Sequence, residues 1–340
     1  MITERDVEFH TPEGADHHWA ETNQFCFYIA ERNIVGVIYT CIRKGLGSAL
    51  SEVILFNTLT RDRWDVLHFD SMAHLPAPEK LSRYELANGL TVTAVGPPRD
   101  YRIDYQGPNG TELHLDVVGL MEPYDIHDPT MSPTAPPERA DQVAGSGFGA
   151  GYSGHFDMTA RVTGTLTLAG RTYAVDCVDS MDHSWGPRTE RGMRSMCWSG
   201  GHFGEDYVWH GIWAKDPFAA PEDEFRIAHG YILEDGKVIG LTSGTMVAKR
   251  ENDIPVEVEI RLIDRDGREH HITGQARANH DWVPHACLNV HDVFYEYAAD
   301  GRGPGYGVIE EAIPLDLMAD ANARAEVREL HQPPLTQAGT

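Results

Sequence analysis

The stretches QFCFYIAE (residues 24–31) and VGVIYTCIR (residues 35–43) decide the fold class. Both are short and rich in aromatic and β-branched residues, and their period is two rather than 3.6, so each reads as a β-strand. SEVILFN (51–57), WDVLHFD (64–70) and LTVTAVG (90–96) repeat the pattern. Between such runs stand ANG (87–89), PNG (108–110), EDG (234–236) and RDG (265–267). Asn-Gly and Asp-Gly supply the positive φ that tight hairpins need. Antiparallel meanders follow, because parallel strands would require crossover helices. The one clear helical pattern is LDLMADANARAEVREL, residues 315–330.

The 340 residues carry a net charge of −24, with 52 acidic against 28 basic side chains. A surface so acidic repels phosphate backbones and anionic lipid, so nucleic-acid and membrane partners are not expected. No run approaches the ~20 apolar residues of a membrane span. MITERDVEFHTPEG at the start has no apolar signal region. Five cysteines, none in a CxxC pair, do not form a disulfide framework. A cytoplasmic location is expected.

Residues 122–151, EPYDIHDPTMSPTAPPERADQVAGSGFGAG, interrupt the strands with Pro, Gly and Asp. A loop of this length is a linker or a functional crossing. The expected division is an N-terminal β domain over residues 1–150 and a C-terminal one over 151–340. Meanders remove their edges by closing into barrels, and barrels of about eight strands can enclose one small ligand. The expected fold is therefore all-β: two lipocalin-like antiparallel barrels with a short C-terminal helix. Two cupin-like barrels are the competing arrangement.

Four stretches could carry chemistry. SMDHSWGPR (180–188) gathers Asp182, His183, Trp185 and Arg188 at the end of the alternating run TLTLAGRTYAVDCV (165–178). Adjacent residues on a regular strand face opposite sides, but WGP should break the strand. A carboxylate beside an imidazole then serves as a general acid or base. An Asp182–Arg188 ion pair with Trp185 as packing fits the residues equally well. GYSGHFD (151–157) puts His155 and Asp157 two apart, on one strand face, with Tyr152 near. It could aim into a cavity, although an exposed polar face is the commoner outcome. CWSGGHFGEDYVWHGIWA (197–214) interleaves Trp198, Trp209 and other aromatics with His202 and His210, which describes an apolar ligand pocket or an ordinary barrel core. GPGYGVIEEAIP (303–314) leads into Glu310, a potential proton donor if buried, or a solvated edge charge if not.

Eighteen histidines raise the question of a metal. No His/Cys set has zinc spacing, and His155 with Asp157 lacks the second His of a cupin HxH pair. No metal is expected. No Gly-rich strand–helix turn offers a nucleotide site, so no cofactor is expected either.

Residues 154–188, GHFD…VTGTLTLAGRTYAVDCVDSMDHSWGPR, resemble the two-domain lipocalin-like (calycin) family that contains carotenoid hydratases (hydroxyneurosporene synthases) and AttH-type proteins. The matching features are a GxYxGHxD entry, a TGTLxxxGxxYxV hairpin and DHSWG.R, with GYGVIEE resembling a later glycine-rich strand that ends in Glu. The likeness is concentrated in residues 150–190. It implies two calycin barrels and, for some members, addition of water to a double bond without a cofactor. By motif it points to Asp182, His183, Trp185 and Arg188, and to His155. The expectation is a cofactor-independent lyase acting on a bulky apolar molecule, isoprenoid or aromatic. Its catalytic candidates are Asp182, His183, Arg188, His155 and Glu310. Its binding candidates are Tyr152, Asp157, Trp185, Trp198, His202 and Trp209. Elimination or retro-aldol cleavage, a non-catalytic carrier and a metal-dependent two-cupin enzyme are the alternatives. Homodimer formation is left open.

Overall fold

The computed structural model describes residues 1–136, 149–189, 191–251, 253–285, 287–299 and 301–319. Nineteen antiparallel strands form two sheets. The first holds β1 (Trp19–Ile29), β2 (Ile34–Arg43), β3 (Ser48–Phe56), β4 (His68–Pro76), β5 (Arg83–Glu85), β6 (Leu90–Gly96), β7 (Asp100–Gln106), β8 (Glu112–Gly119), β9 (Tyr124–Asp125), β10 (Gly154–Leu168) and β11 (Arg171–Pro187). The second holds β12 (Met196–His202), β13 (Tyr207–Lys215), β14 (Phe225–Glu234), β15 (Lys237–Glu251), β16 (Ile254–Asp264), β17 (Glu269–His285), β18 (Leu288–Ala299) and β19 (Gly305–Pro314). Residues 315–319 add a helical turn; the rest of the expected C-terminal helix lies outside the described residues. No helix among the described residues is long and apolar enough to cross a membrane.

The hairpin signals act as their dihedrals require. Asp235 and Gly236, at φ 50° and 72°, close the two-residue turn between the paired Glu234 and Lys237. Asn109 and Gly110 take φ of 58° and 70° between β7 and β8. Ala169 and Gly170 do the same between β10 and β11, where no Asn or Asp announces the turn.

The strands of the second sheet pair in chain order and close into an eight-stranded barrel. This meander is the lipocalin-like arrangement, not the double Greek key of a cupin. Its interior is filled by side chains, with Trp209, Trp213, Phe225, Tyr295 and Tyr297 fully buried. The barrel lumen is therefore core rather than a ligand cavity.

The first sheet departs from expectation in two ways. Its order is β4-β3-β2-β1-β11-β10-β8-β7-β6-β5, open between β4 and β5. The sheet still curls far enough to bring Phe25 of β1 and Tyr101 of β7 to 5.3 Å between ring centroids. Side chains bridge the gap, with Tyr105 donating to Asp70 at 2.6 Å and Thr40 meeting Tyr84 at 3.1 Å. The result is a half-barrel, because β5, only three residues long, cannot sustain a ladder with β4. Second, β10 and β11 belong to this sheet. Their hairpin is wedged between β1 and β8, pairing Trp19 with Pro187 and Ala160 with Gly119. The division expected at residue 150 thus falls inside the first sheet, between β9 and β10. The reason is register: the long β10–β11 hairpin supplies both ladder partners that β1 and β8 otherwise lack.

One face of the half-barrel packs against the outside of the barrel. Val208, Ile212, Tyr231, Val290, Phe294 and Val308 share a continuous core with β1, β10 and β11. This interface, not a barrel mouth, holds the candidate site.

Candidate functional site

Alternation sorts the motif residues onto two faces. β11 runs on through Trp185 and Gly186 to Pro187, so the expected strand break is absent and SMDHSWGP keeps its pleat. Asp182 and Ser184 face the barrel, whereas His183 and Trp185 face the inside of the half-barrel. An Asp182–His183 dyad therefore does not form. Asp182 and Arg188 make no direct ion pair among the described residues either. The Arg188 guanidinium donates to Ser184 Oγ at 2.6 Å and lies 4.4 Å above the Tyr152 ring.

Facing the barrel is a cavity of ≈ 50 Å³, room for a few water molecules. Thr22, Gln24, Asp182, Ser184 and Arg188 line it from the sheet, and Trp198, Trp282 and Glu310 from the barrel. Tyr39, Tyr152, Met193, Met196, His285 and Leu288 surround them. Larger concavities of ≈ 540 and ≈ 690 Å³ are open grooves along the barrel strands, and no buried acid–base set converges on them.

The polar network explains the residue types. β10 places His155 and Asp157 on the barrel-facing side. The His155 Nε2 is 3.1 Å from Asp157 Oδ2, and His210 Nε2 is 3.2 Å from Asp157 Oδ1. Trp198 Nε1 donates to the same Oδ1 at 2.8 Å. Asp157 is fully buried. Burial alone would raise its pKa, but the two imidazoles hold it well below the usual carboxylate range. Burial opposes the charged form of His155, and the adjacent Asp157 more than offsets this, so its pKa is raised. The His155–Asp157 pair sits behind Asp182.

Asp182 and Glu310 behave in the opposite way. Burial, reinforced by the Asp157 charge, pushes Asp182 up to about 6 against the pull of His155 and Arg188. Burial, with the charge of Asp182 adding to it, pushes Glu310 up to about 7, although Gln24 donates to its Oε2 at 2.7 Å. Thr22 and Ser184 hydroxyls meet at 2.7 Å beside them. Near the mouth, Tyr39 Oη lies 3.0 Å from His285 Nε2.

Of the sequence candidates, Asp182, Arg188, Glu310, Tyr152 and Trp198 meet in the cavity, with His155 and Asp157 directly behind. Four do not. Trp209 points into the barrel core, packing edge-on against Tyr297 at 5.4 Å. His202 is held between Ser180 Oγ and the Tyr306 carbonyl, each at 3.0 Å, where burial drives its pKa down to about 3. His183 and Trp185 lie across the sheet. Sequence reasoning missed Gln24, Thr22, Ser184, His285 and Trp282. The only signal for Gln24 was an amide at the point in β1 where the polar run Glu21–Asn23 gives way to apolar residues. Glu311, the neighbour of Glu310, faces the barrel interior and is bound by Lys215 and Arg250.

Asp182, His155 and Asp157 present oxygen and nitrogen atoms within 4.8 Å of one another. Asp157 is flanked there by two imidazoles and accepts the Trp198 indole N–H.

Comparison with known proteins places this geometry. The family model of a domain of unknown function, DUF7064, matches residues 3–314. No curated protein matches the sequence. Among solved structures, kievitone hydratase from Nectria haematococca is similar at a TM-score of 0.52 and 11% identity, over 87% of this chain and 88% of that one. An AttH-like protein from Nitrosomonas europaea is similar at a TM-score of 0.54 and 10% identity, over 86% and 91%. The fold is thus that of the lipocalin-like two-domain hydratase and AttH-type proteins, as the resemblance of residues 150–190 implied.

Proposed function

The chain belongs to the DUF7064 family, and we propose that it is a hydro-lyase, working without a cofactor on an apolar isoprenoid or aromatic small molecule. The carrying observation is Glu310: a half-buried carboxyl whose pKa desolvation pushes up to about 7, in a cavity walled by Trp198, Trp282 and Tyr152. The hydratase neighbour supports the reaction class only at the level of a shared fold.

In the hydration direction Glu310 gives its proton to one alkene carbon. Positive charge grows on the other carbon, where aromatic faces stabilise it. Water held by Ser184, Thr22 and Arg188 attacks that carbon and releases its proton to the Asp182 carboxylate. The proton returns to Glu310, so the net change is addition of one water. His155 and Asp157 fix the field behind Asp182. Elimination is the reverse path, and a retro-aldol cleavage would use the same pair.

The observed cavity is far below the ~300 Å³ at the low end of ligand sites, so a bulky substrate must widen it. Met193, Met196 and Leu288 are part of its wall; unbranched Met side chains repack at little cost.

The test is incubation with a panel of isoprenoid and aromatic alkenes and alcohols in ¹⁸O-labelled water, followed by mass spectrometry. Incorporation of one labelled water by the wild type, lost in Glu310→Gln, supports the reading. Tight binding of a panel member with no turnover, unchanged in Glu310→Gln and Asp182→Asn, would establish a carrier instead.

A further inference from the structure

Across the first sheet from the cavity, three residues from separate segments converge. His10 comes from the N-terminal segment, Glu21 from β1 and His183 from β11. One ligand atom from each lies within 4.8 Å of the other two. Glu21 is fully buried and His183 nearly so.

The hydrogen bonds fix which ring atoms face inward. His183 Nδ1 lies 2.8 Å from the Thr22 carbonyl, which only accepts, so Nδ1 donates and Nε2 keeps its lone pair. His10 Nε2 lies 3.3 Å from Asp6 Oδ1, which makes Nε2 the donor and leaves Nδ1 bare. Neither His183 Nε2 nor His10 Nδ1 has a hydrogen-bond partner, and both are shielded from solvent. His10 Nδ1 stands 3.5 Å from Glu21 Oε2. With both imidazoles neutral, two nitrogen lone pairs face a carboxylate, an arrangement that a shared cation stabilises.

The surroundings are those of a metal ligand set. Metal-bound imidazoles tie their second nitrogen to a carboxylate or a backbone carbonyl, and bound carboxylates are themselves hydrogen-bonded. Asp6 and Thr22 supply the first pattern here. Thr11 Oγ1 at 2.6 Å, Trp19 Nε1 at 3.2 Å and the His10 amide at 2.9 Å supply the second, all on Glu21 Oε1. The His10 ring is clamped by Trp185, stacked at 3.7 Å with an interplanar angle of 1°.

We propose that His10 Nδ1, a Glu21 carboxylate oxygen and His183 Nε2 bind one divalent first-row transition-metal ion. Two imidazoles and one carboxylate suit zinc or iron(II), with a position left for water. The ion would pin the N-terminal segment to β1 and β11 from the side opposite the cavity. This site is independent of the reaction proposed above. It also explains why spacing in the sequence gave no warning: the ligands are 11 and 162 positions apart, brought together only by the β1–β11 ladder.

The test uses the untagged full chain, stripped with chelator and titrated with Zn²⁺ by calorimetry, with elemental analysis of stoichiometry. One zinc per chain is expected, with a melting temperature raised by roughly 3 °C or more at saturation. Co²⁺ should quench the fluorescence of the adjacent Trp185. His10→Ala, at a half-exposed position, should weaken binding at least ~10-fold and leave a folded protein. Two other sets among the described residues bring three such ligand atoms together, Asp16–His17–His18 and His155–Asp157–Asp182; a His17→Ala/His18→Ala double variant and His155→Ala remove their imidazoles and should bind as the wild type does. Failure of the stripped wild type to bind zinc stoichiometrically overturns the proposal. So does binding that survives His10→Ala but is lost in either comparator.

Discussion

Replacing Glu310 with Gln separates a proton donor from a structural carboxylate, because the two roles predict opposite effects on stability. The Gln24 amide now donates to Glu310 Oε2 at 2.7 Å, and a Gln carbonyl can accept the same bond. What disappears is ionisation. Burial raises the Glu310 pKa from 4.5 to about 7. Below pH 4.5 the group is neutral in both folded and unfolded chains and contributes nothing. As pH rises, the unfolded chain releases this proton first, so the native state is progressively penalised. Above pH 7 the full difference applies, about 3 kcal/mol at 1.36 kcal/mol per pKa unit. Gln never ionises. Glu310→Gln should therefore match the wild type in urea denaturation at pH 4 and exceed its stability by about 3 kcal/mol at pH 8.5. Turnover should fall by a factor on the order of 10²–10⁴. A variant less stable than wild type at pH 8.5, or a gain that does not change with pH, would refute the reasoning.

Asp182→Asn should keep the fold, since Arg188 is bonded to Ser184 rather than to Asp182, while activity drops on the order of 10²-fold or more; thermal melting and turnover measured together check both halves. Asp157→Asn removes the charge that faces His155, His210 and the Trp198 indole, and should cost about 3–5 kcal/mol in chemical denaturation. Gly154→Ala would set a Cβ 2.0 Å from the Trp185 ring, so a loss of roughly 1–3 kcal/mol is expected, with wild-type stability the contrary outcome. Trp209→Leu should destabilise the barrel by a few kcal/mol, ~2–4, without altering KM, because Trp209 is core; a changed KM in a stable protein would return it to the binding site.

Much of this architecture was legible because period two and Asn-Gly or Asp-Gly turns are local signals. Asp235–Gly236 and Asn109–Gly110 close hairpins where the sequence placed them. The first sheet was harder. Its order depends on β1 finding β11: Asn23 lies opposite His183, 160 positions away, and no local pattern encodes that pairing. The DHSWGPR motif was singled out, and its Asp182 and His183 were assigned one joint role. The pleat divides them, sending Asp182 to the cavity and His183 to a separate cluster. Glu310 was read as a proton donor if buried or a solvated edge charge if not, and it lies half-buried on the cavity wall. Its partner Gln24 was missed, because an amide where a polar run gives way to apolar residues looks the same whether it serves the ladder or a cavity. Trp209 and His202 were over-read because aromatic and imidazole side chains suit a pocket and a barrel core equally.

The most direct test of the central claim is the titration of the Glu310 carboxyl itself, which needs no substrate. Infrared difference spectra of wild type minus Glu310→Gln, taken across pH, isolate its protonated C=O stretch. The account predicts a band from a protonated carboxyl that persists at neutral pH and titrates near pH 7. A carboxyl that is fully ionised by pH 5.5 would contradict it, leaving the cavity without a proton donor.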